Sequence, residues 1–136
     1  MTVSTFDFVR DNMTRTPFHK WLLPELMAVN DEENSVTITL KIRPELGNSV
    51  DRTDLHGGVV AALIDIAGHA AVAAKVRHSV PTIDMRVDYL RPASGTEIVA
   101  TACIIKWGRT ISLVDIRLTD DQRRVVAVGR ASYVTT

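Results

Sequence analysis

The chain has little of what marks disulfide-rich, fibrous or cysteine-metal proteins. Its 136 residues include one cysteine, Cys103, which excludes an internal disulfide, a cysteine-based zinc site and a CxxC redox motif. Seven glycines and five prolines are too few for a disordered or fibrous chain. The length predicts a single domain over residues 1–136. The scarcity of cysteine favours a reducing, cytoplasmic location.

An excess of charge of either sign is also absent. Sixteen basic residues balance sixteen acidic ones, which removes the electrostatic signature of a general nucleic-acid binder. With little net repulsion between copies, association of the chain with itself is permitted. We therefore expect locally recognised partners and no nucleic acid among them.

Long uninterrupted hydrophobic runs are missing as well. Charged residues from Asp7 onward break up the first apolar residues, so no targeting sequence is predicted. The most apolar stretch, residues 59–74, contains Asp65 and His69 and is shorter than the roughly 20 residues that span a bilayer. We expect no membrane partner and interpret this stretch as a buried element.

The start of the chain is predicted to be helical and then to turn into a strand pair. Residues 1–24 form an N-terminal helical segment in this prediction. Phe18 and Trp21 are expected to pack in the core, the alternative being that they close a ligand pocket. Alternating apolar and polar side chains then predict two strands around a polar turn at residues 30–34. Residues 44–55 are polar, and we expect them to be irregular.

One long helix and a series of strands complete the predicted core, residues 25–134. The helix, residues 57–74, is apolar nearly all round and should be surrounded by protein. The strands that follow are joined by turns short enough for an antiparallel meander; they cover residues 83–89, 97–107, 110–118 and 124–134. The fold class is α+β, a curved antiparallel sheet wrapped around one long central helix. The outer face of that sheet is then either polar or covered by a second copy.

His56, Gly57 and Gly58 stand at the start of the predicted central helix. Glycines let a ligand approach the backbone, and the first N–H groups of a helix have no partner within it. The position suits a negative or developing negative oxygen, with Gly57 and Gly58 as candidate substrate contacts. The alternative is that both glycines only allow tight packing where the loop meets the helix.

Asp65 is a carboxylate in the middle of an almost wholly apolar helix. Such a group loses much solvation unless it has polar partners or lines a cavity, and burial would make it a stronger base. The alternative is a structural carboxylate paired with His69, one turn further on. Both interpretations stay open from the residues alone.

Other catalytic arrangements receive less support. His56, Asp65 and His69 could form a metal site, but no second helical ligand motif is present, and side chains at this spacing more often pair with each other. No serine lies in a GxSxG elbow. Cys103 lies in an alternating strand and is interpreted as a core thiol. We expect no metal and no cofactor.

The sequence HGGVVAALID, residues 56–65, resembles the HGGxxxxLxD signature of hotdog-fold acyl-CoA thioesterases. The resemblance is to their PaaI-like (phenylacetic acid degradation) group, within the 4-hydroxybenzoyl-CoA thioesterase superfamily. Residues 82–93 are similar to that family's strand ending in an aromatic residue and RPA, and residues 108–110 to the start of its final hairpin. The resemblance implies a hotdog fold and a dimer, often paired into a tetramer, with active sites at the dimer interface.

The resemblance also implies roles for individual residues. Asp65 matches the catalytic carboxylate, which activates water or attacks the thioester carbonyl. Gly57 matches the residue of the partner subunit whose backbone N–H polarises that carbonyl, and His56 matches the histidine beside it. Thr82 matches a position that orients the water, and His69 falls where some relatives place a helper hydroxyl.

The substrate-binding residues are harder to match. Relatives carry Asn or Gln six residues before the HGG histidine, where this chain has Val50, and Asn48 lies two residues too early. Basic side chains near strand ends or turns are candidates for the phosphates of coenzyme A; they are Arg91, Lys106, Arg109, Arg123 and Arg124.

The function implied by the resemblance is hydrolysis of acyl-CoA thioesters to the free acid and coenzyme A. A thioester has a good leaving group, so an oriented carbonyl, one N–H donor and one carboxylate suffice without a metal. Two alternatives are an acyl-CoA-binding hotdog module without turnover and a hotdog hydratase or dehydratase.

Overall fold

A computed structural model describes residues 2–136. Two short helices precede a six-stranded antiparallel sheet, a small two-stranded sheet and one long helix. The elements are α1 Thr5–Arg15, α2 Pro17–Leu22, β1 Glu25–Asn30, β2 Ser35–Lys41, a 3₁₀ turn Pro44–Leu46, β3 Gly47–Ser49, β4 Arg52–Leu55, α3 Gly57–Val76, β5 Thr82–Tyr89, β6 Glu97–Lys106, β7 Ile111–Thr119 and β8 Val125–Val134.

The N-terminal segment is helical as predicted. Ser4 caps α1, since its Oγ accepts a hydrogen bond of 3.0 Å from the Asp7 N–H. Pro17 then occupies the first turn of α2, where a missing N–H has no cost. Phe18 and Trp21 do not pack in the core: 49% and 52% of their surfaces are exposed, so that prediction is wrong. Their rings lie on the outer side of a helix that buries only Leu22.

The large sheet has the strand order β1-β2-β6-β7-β8-β5, with every pair antiparallel. The prediction of a meander in chain order is correct for β6, β7 and β8 and wrong for β5. This strand pairs with β8 at the far edge, and β6 instead pairs with β2. A short connection is not proof of a hairpin, because the curled sheet lets residues 90–96 pass from its edge to its middle.

Residues 44–55 are more regular than expected. They form a 3₁₀ turn and the hairpin of β3 and β4, which buries Leu46 and Leu55. The strands are only three and four residues long. Their polar side chains therefore give no readable alternation.

Helix α3 lies within the curve of the sheet, which makes this the hotdog fold. Its 20 residues make it long and apolar enough to cross a membrane by length and composition alone, so the argument from a short length is wrong. In the structure its apolar residues are packed into the core beneath β2, β6, β7 and β8. This packing accounts for the apolar composition of the helix.

Two glycines let α3 and β8 approach each other closely. Gly68 of the helix faces the ring of Tyr133, and a Cβ there would collide with the phenol oxygen. In the opposite direction, Gly129 of the sheet faces Ile64, and a Cβ there would lie 2.6 Å from Ile64 Cγ2. Each element thus inserts one large side chain above a glycine of the other.

The outer face of the sheet is charged where β5, β7 and β8 adjoin. Arg130 donates to both carboxylate oxygens of Asp115, at 2.6 and 2.9 Å. Arg86 pairs with Asp88 on the edge strand at 3.2 Å. The first of the two predicted alternatives, a polar outer face, therefore applies here, and the free edge of β5 borders it.

Candidate active site

Asp65 has hydrogen-bond partners that explain its place in an apolar helix. Its side chain is half-buried. Thr82, the first residue of β5, donates its hydroxyl to Asp65 Oδ1 at 2.8 Å. The Tyr133 hydroxyl lies 3.1 Å from the same oxygen. No hydrogen bond among residues 2–136 uses Oδ2, so one carboxylate oxygen is held and the other is left for a ligand or water.

His69 forms no hydrogen bond with Asp65 among residues 2–136, so the pairing named in the structural alternative is not formed. The His69 Nε2 atom accepts a hydrogen bond of 3.3 Å from the Val80 N–H and lies 3.2 Å from Ser79 Oγ. Burial lowers the pKa of His69; Asp65 opposes this shift, and His19 adds to it. The neutral ring therefore holds the chain that leads into β5, and through it the position of Thr82.

The start of α3 presents one unused backbone donor. His56 is the N-cap residue, and its Nδ1 accepts a hydrogen bond of 2.8 Å from the Gly58 N–H. Gly58 therefore cannot offer that donor to a ligand while His56 keeps this position. The Gly57 N–H is not used by any hydrogen bond within residues 2–136. It lies at the positive end of the helix dipole, where a partly negative oxygen is favoured.

A cavity of about 270 Å³ brings Gly57 together with two predicted substrate contacts, Asn48 and Arg91. Tyr89 also lines it and donates its hydroxyl to the Gly57 carbonyl at 2.8 Å. Val50, which occupies the position where relatives carry Asn or Gln, is 100% exposed. Asn48, two residues earlier, lines the same cavity as Gly57.

A second cavity, of about 300 Å³, lies on the other side of the helix start. It is lined by Phe18, Trp21, His56 and Gly58 among others. The helix carrying the two aromatic rings is fixed by Arg43, which donates to the main-chain oxygens of Trp21 and Leu22. The two exposed rings thus form a fixed apolar side of the cavity next to the HGG sequence.

The remaining basic candidates lie at both ends of the sheet: Lys106 and Arg109 at the end where β5 begins, and Arg123 and Arg124 at the end where β5 finishes. Lys106 and Arg109 flank the turn between β6 and β7, on the side where β5 begins, whereas Arg91 follows the end of β5. An eight-residue strand separates these positions by about 23 Å. Arg123 and Arg124 belong to the turn before β8, where Arg124 pairs with Asp120 at 2.9 Å.

His56, Asp65 and His69 do not form a metal-binding group, and Cys103 lies outside the core. Within residues 2–136, no group of three His, Cys, Asp or Glu side chains is arranged to hold a metal ion. Cys103 is half-buried on the outer face of β6 rather than in the core, with its Sγ 3.4 Å from the Glu33 carbonyl oxygen. The interpretation of a core thiol is therefore wrong.

The two halves of the candidate site are far apart within one chain. Gly57 and Asp65 are separated by eight residues of the same helix, or about 12 Å along its axis. One thioester carbonyl cannot accept from the Gly57 N–H and also lie within reach of the Asp65 carboxylate. Within one chain, the Gly57 N–H and the Asp65 carboxylate therefore cannot contact the same carbonyl group.

Both tyrosines contact candidate residues, and neither was predicted. Tyr133 is fully buried, and Tyr89 is exposed at the cavity beside Gly57. The sequence pattern could have identified Tyr133. It alternates with the outward residues of β8 and is therefore expected to be buried, and a buried phenol needs a hydrogen-bond partner. Asp65 was the unpaired polar group in the facing helix.

Comparison with known proteins finds similarity to thioesterases in both sequence and structure. The model of the thioesterase superfamily matches residues 53–127. Medium/long-chain acyl-CoA thioesterase YigI of Escherichia coli is 29% identical over 133 residues, which cover 87% of this chain and 84% of YigI. An X-ray structure of a protein from the thioesterase superfamily superposes with a TM-score of 0.89 at 34% identity, covering 96% of this chain and 97% of the other.

A second solved structure supports the fold. The E. coli PaaI protein from the phenylacetic acid degradation operon has a TM-score of 0.85 at 20% identity, over 96% of this chain and 91% of PaaI. At that identity the likeness concerns the fold alone. The resemblance drawn from the HGG and RPA sequences is confirmed by the family match together with these relatives.

Proposed function

Because the chain belongs to the thioesterase superfamily, and so to the thioester hydrolases, we propose that its substrates are acyl-CoA thioesters and that Asp65 is the centre of their hydrolysis. The observation that supports this most is the hydrogen bond from Thr82 to Asp65. It holds a carboxylate in place within an otherwise apolar helix, at the end of a strand whose outer edge is open. The second oxygen, Oδ2, has no hydrogen-bond partner among residues 2–136 and is available to water or substrate.

The chemistry requires three groups. The Gly57 N–H donates to the thioester carbonyl oxygen and stabilises the negative charge that develops there. Asp65 takes a proton from a water molecule held near Thr82, and the oxygen of that water adds to the carbonyl carbon. The carbon–sulfur bond then breaks, coenzyme A leaves as the thiolate and is protonated, and the free acid remains. In the alternative route Asp65 itself attacks the carbonyl carbon and coenzyme A leaves as the thiolate, after which water hydrolyses the acyl–Asp65 anhydride to the free acid. Neither route needs a metal or cofactor.

We propose that each site is assembled from two copies of the chain. The strand β5 has one unpaired edge, and the apolar side chains of Ile83, Tyr89 and Leu90 on it or just after it are exposed. If two β5 strands paired antiparallel about a twofold axis, Thr82 of one copy would lie opposite Tyr89 of the other. Thr82 holds Asp65, and Tyr89 holds Gly57.

This pairing would also bring the basic residues together. Arg91, which follows β5 in one copy, would approach the turn of the other copy that carries Lys106 and Arg109. These three cations are our candidates for the phosphates of coenzyme A, with Asn48 nearer the thioester. The charged outer face, with its paired Arg and Asp side chains, is the candidate surface for joining two dimers into a tetramer. We expect the assembled enzyme in the cytoplasm.

Release of free thiol from a panel of aliphatic and aromatic acyl-CoAs tests the activity. Asp65→Asn keeps the size of the side chain and should lower kcat at least about a hundredfold, because the base is lost. Asp31→Asn, in an exposed turn, is the matched control and should have wild-type activity. Binding of acyl-CoA without thiol release by any variant would favour the binding module, and hydration of an enoyl-CoA would favour the hydratase.

Mixing two inactive variants tests the assembly. Gly57→Pro lacks the N–H donor and Asp65→Asn lacks the base, so neither homodimer has an intact site. A mixed dimer has one intact site if Gly57 and Asp65 of a site come from different copies. After subunit exchange, an equal mixture should recover about a quarter of wild-type activity, since half of the dimers are mixed. No recovery in a mixture shown to exchange would exclude a shared site.

A further inference from the structure

Two hydroxyl groups converge on a single oxygen of Asp65. Thr82 Oγ1 lies 2.8 Å and the Tyr133 hydroxyl 3.1 Å from Oδ1. The same phenol oxygen is also 3.1 Å from the main-chain oxygen of Asp65. A phenol has one proton, and hydrogen bonds to charged groups are the stronger ones, so the carboxylate is the preferred acceptor. Oδ1 is thereby occupied on two sides.

The position of Tyr133 is fixed from every direction. Its side chain has 0% exposure, and it faces Gly68, which leaves no room for the ring to shift towards the helix. The His69 ring packs edge-on against it, with the ring centres 6.5 Å apart. On the sheet, Tyr133 is paired with Thr82 on one side and Ser112 on the other. Its hydroxyl therefore has a fixed location relative to Asp65.

Tyr133 keeps its phenol proton and can donate it to Asp65. Burial, together with the charge and hydrogen bond of Asp65, raises the pKa of Tyr133 above its ordinary value. The phenol thus keeps its proton across the working pH range and is neither a base nor a nucleophile. Because a carboxylate rotates about its last bond, one donor leaves it some freedom, whereas two donors on one oxygen restrict it much more.

We propose that Tyr133 is a positioning residue of the thioesterase site. With Thr82 it holds Asp65 Oδ1, so that Oδ2 alone faces the attacking water or the thioester carbonyl. This inference rests on the proposed function, because it concerns the same carboxylate. It adds a residue outside the HGG and RPA sequences, on the last strand of the sheet.

The test is Tyr133→Phe, which keeps the ring and removes only the hydroxyl. We expect kcat to fall about tenfold to a hundredfold, with KM within about twofold, because misplacing a reacting group by a fraction of an ångström affects the chemical step more than binding. Thr39→Val removes a buried hydroxyl on β2 without changing the size of the side chain, and should change neither quantity.

A double-mutant comparison separates positioning from general loss of stability. In an Asp65→Asn background, Tyr133→Phe should cause no further loss of residual activity, since its effect passes through the carboxylate. Thermal unfolding of each variant shows whether it is folded. A wild-type kcat in Tyr133→Phe, or an equal additional loss in the Asp65→Asn background, would overturn the proposal. Absence of thiol release from wild type would overturn the proposed function itself.

Discussion

Replacing Gly57 by proline removes the backbone N–H at the first position of α3 and changes little else. Proline is well accepted at this position, where no helical hydrogen bond is lost. The preceding residue must be extended, and His56 is, with φ −56° and ψ 139°. A Cβ at residue 57 would lie 3.6 Å from the ring of Tyr89, which is an ordinary contact. The fold should therefore accept the substitution, with a change in stability within about 1 kcal/mol.

The expected effect on catalysis is much larger. Loss of one donor to a developing oxyanion costs about 10²–10³ in kcat, or about 2.7–4 kcal/mol of transition-state stabilisation. The matched control is Gly57→Ala, which adds the same Cβ and keeps the N–H. Steady-state thiol release should show a large fall for the proline variant and a small one for alanine. If both variants had similar kcat while Asp65→Asn was inactive, the Gly57 N–H would not be the donor.

Three further outcomes follow from the geometry. The free energy of unfolding should decrease as pH falls below about 6.5, because burial lowers the pKa of folded His69 from 6.5 and the unfolded chain therefore takes up the proton first. Denaturant titrations from pH 8 to 5 measure this decrease, and His69→Gln should make the free energy of unfolding less dependent on pH. Gly68→Ala should destabilise the fold by about 1–3 kcal/mol, since its Cβ collides with Tyr133; an unchanged melting temperature would contradict that contact. Arg91→Gln should raise KM for acyl-CoA several-fold with little change in kcat, and the increase should disappear for acyl-pantetheine substrates that lack the nucleotide phosphates.

Much of the fold can be predicted from hydrophobic periodicity, and the strand order cannot. The alternation in β6, β7 and β8 identifies the strands, but it contains no information on which strands are neighbours. The chain between β5 and β6 is short in both a hairpin and a crossing connection. The HGG sequence and the position of Asp65 correctly indicated the family. The hydrogen-bond partners of Asp65 could not be predicted, because spacing on one helix does not show which strands approach it.

The remaining surprises concern polar contacts made over long sequence distances. Tyr133 and Asp65 are 68 positions apart in the chain, and Tyr89 and Gly57 are 32 apart. Helical or strand spacing predicts only local neighbours, so such pairs appear only when helix and sheet are docked. Composition gave one hint, since a tyrosine on the inward side of a strand needs an acceptor for its hydroxyl.

The two glycine contacts between α3 and β8 fix the position of the helix on the sheet. A helix resting on a smooth apolar sheet has two easy rigid-body motions, rotation about its axis and sliding along it. The Tyr133 side chain of β8 packs on Gly68 of the helix, and the Ile64 side chain of the helix packs on Gly129 of β8. Neither a rotation nor a slide of the helix can begin without moving one of these large side chains off its glycine. The direction in which the Asp65 side chain points is thereby set by the packing of its neighbours as well as by its hydrogen bonds.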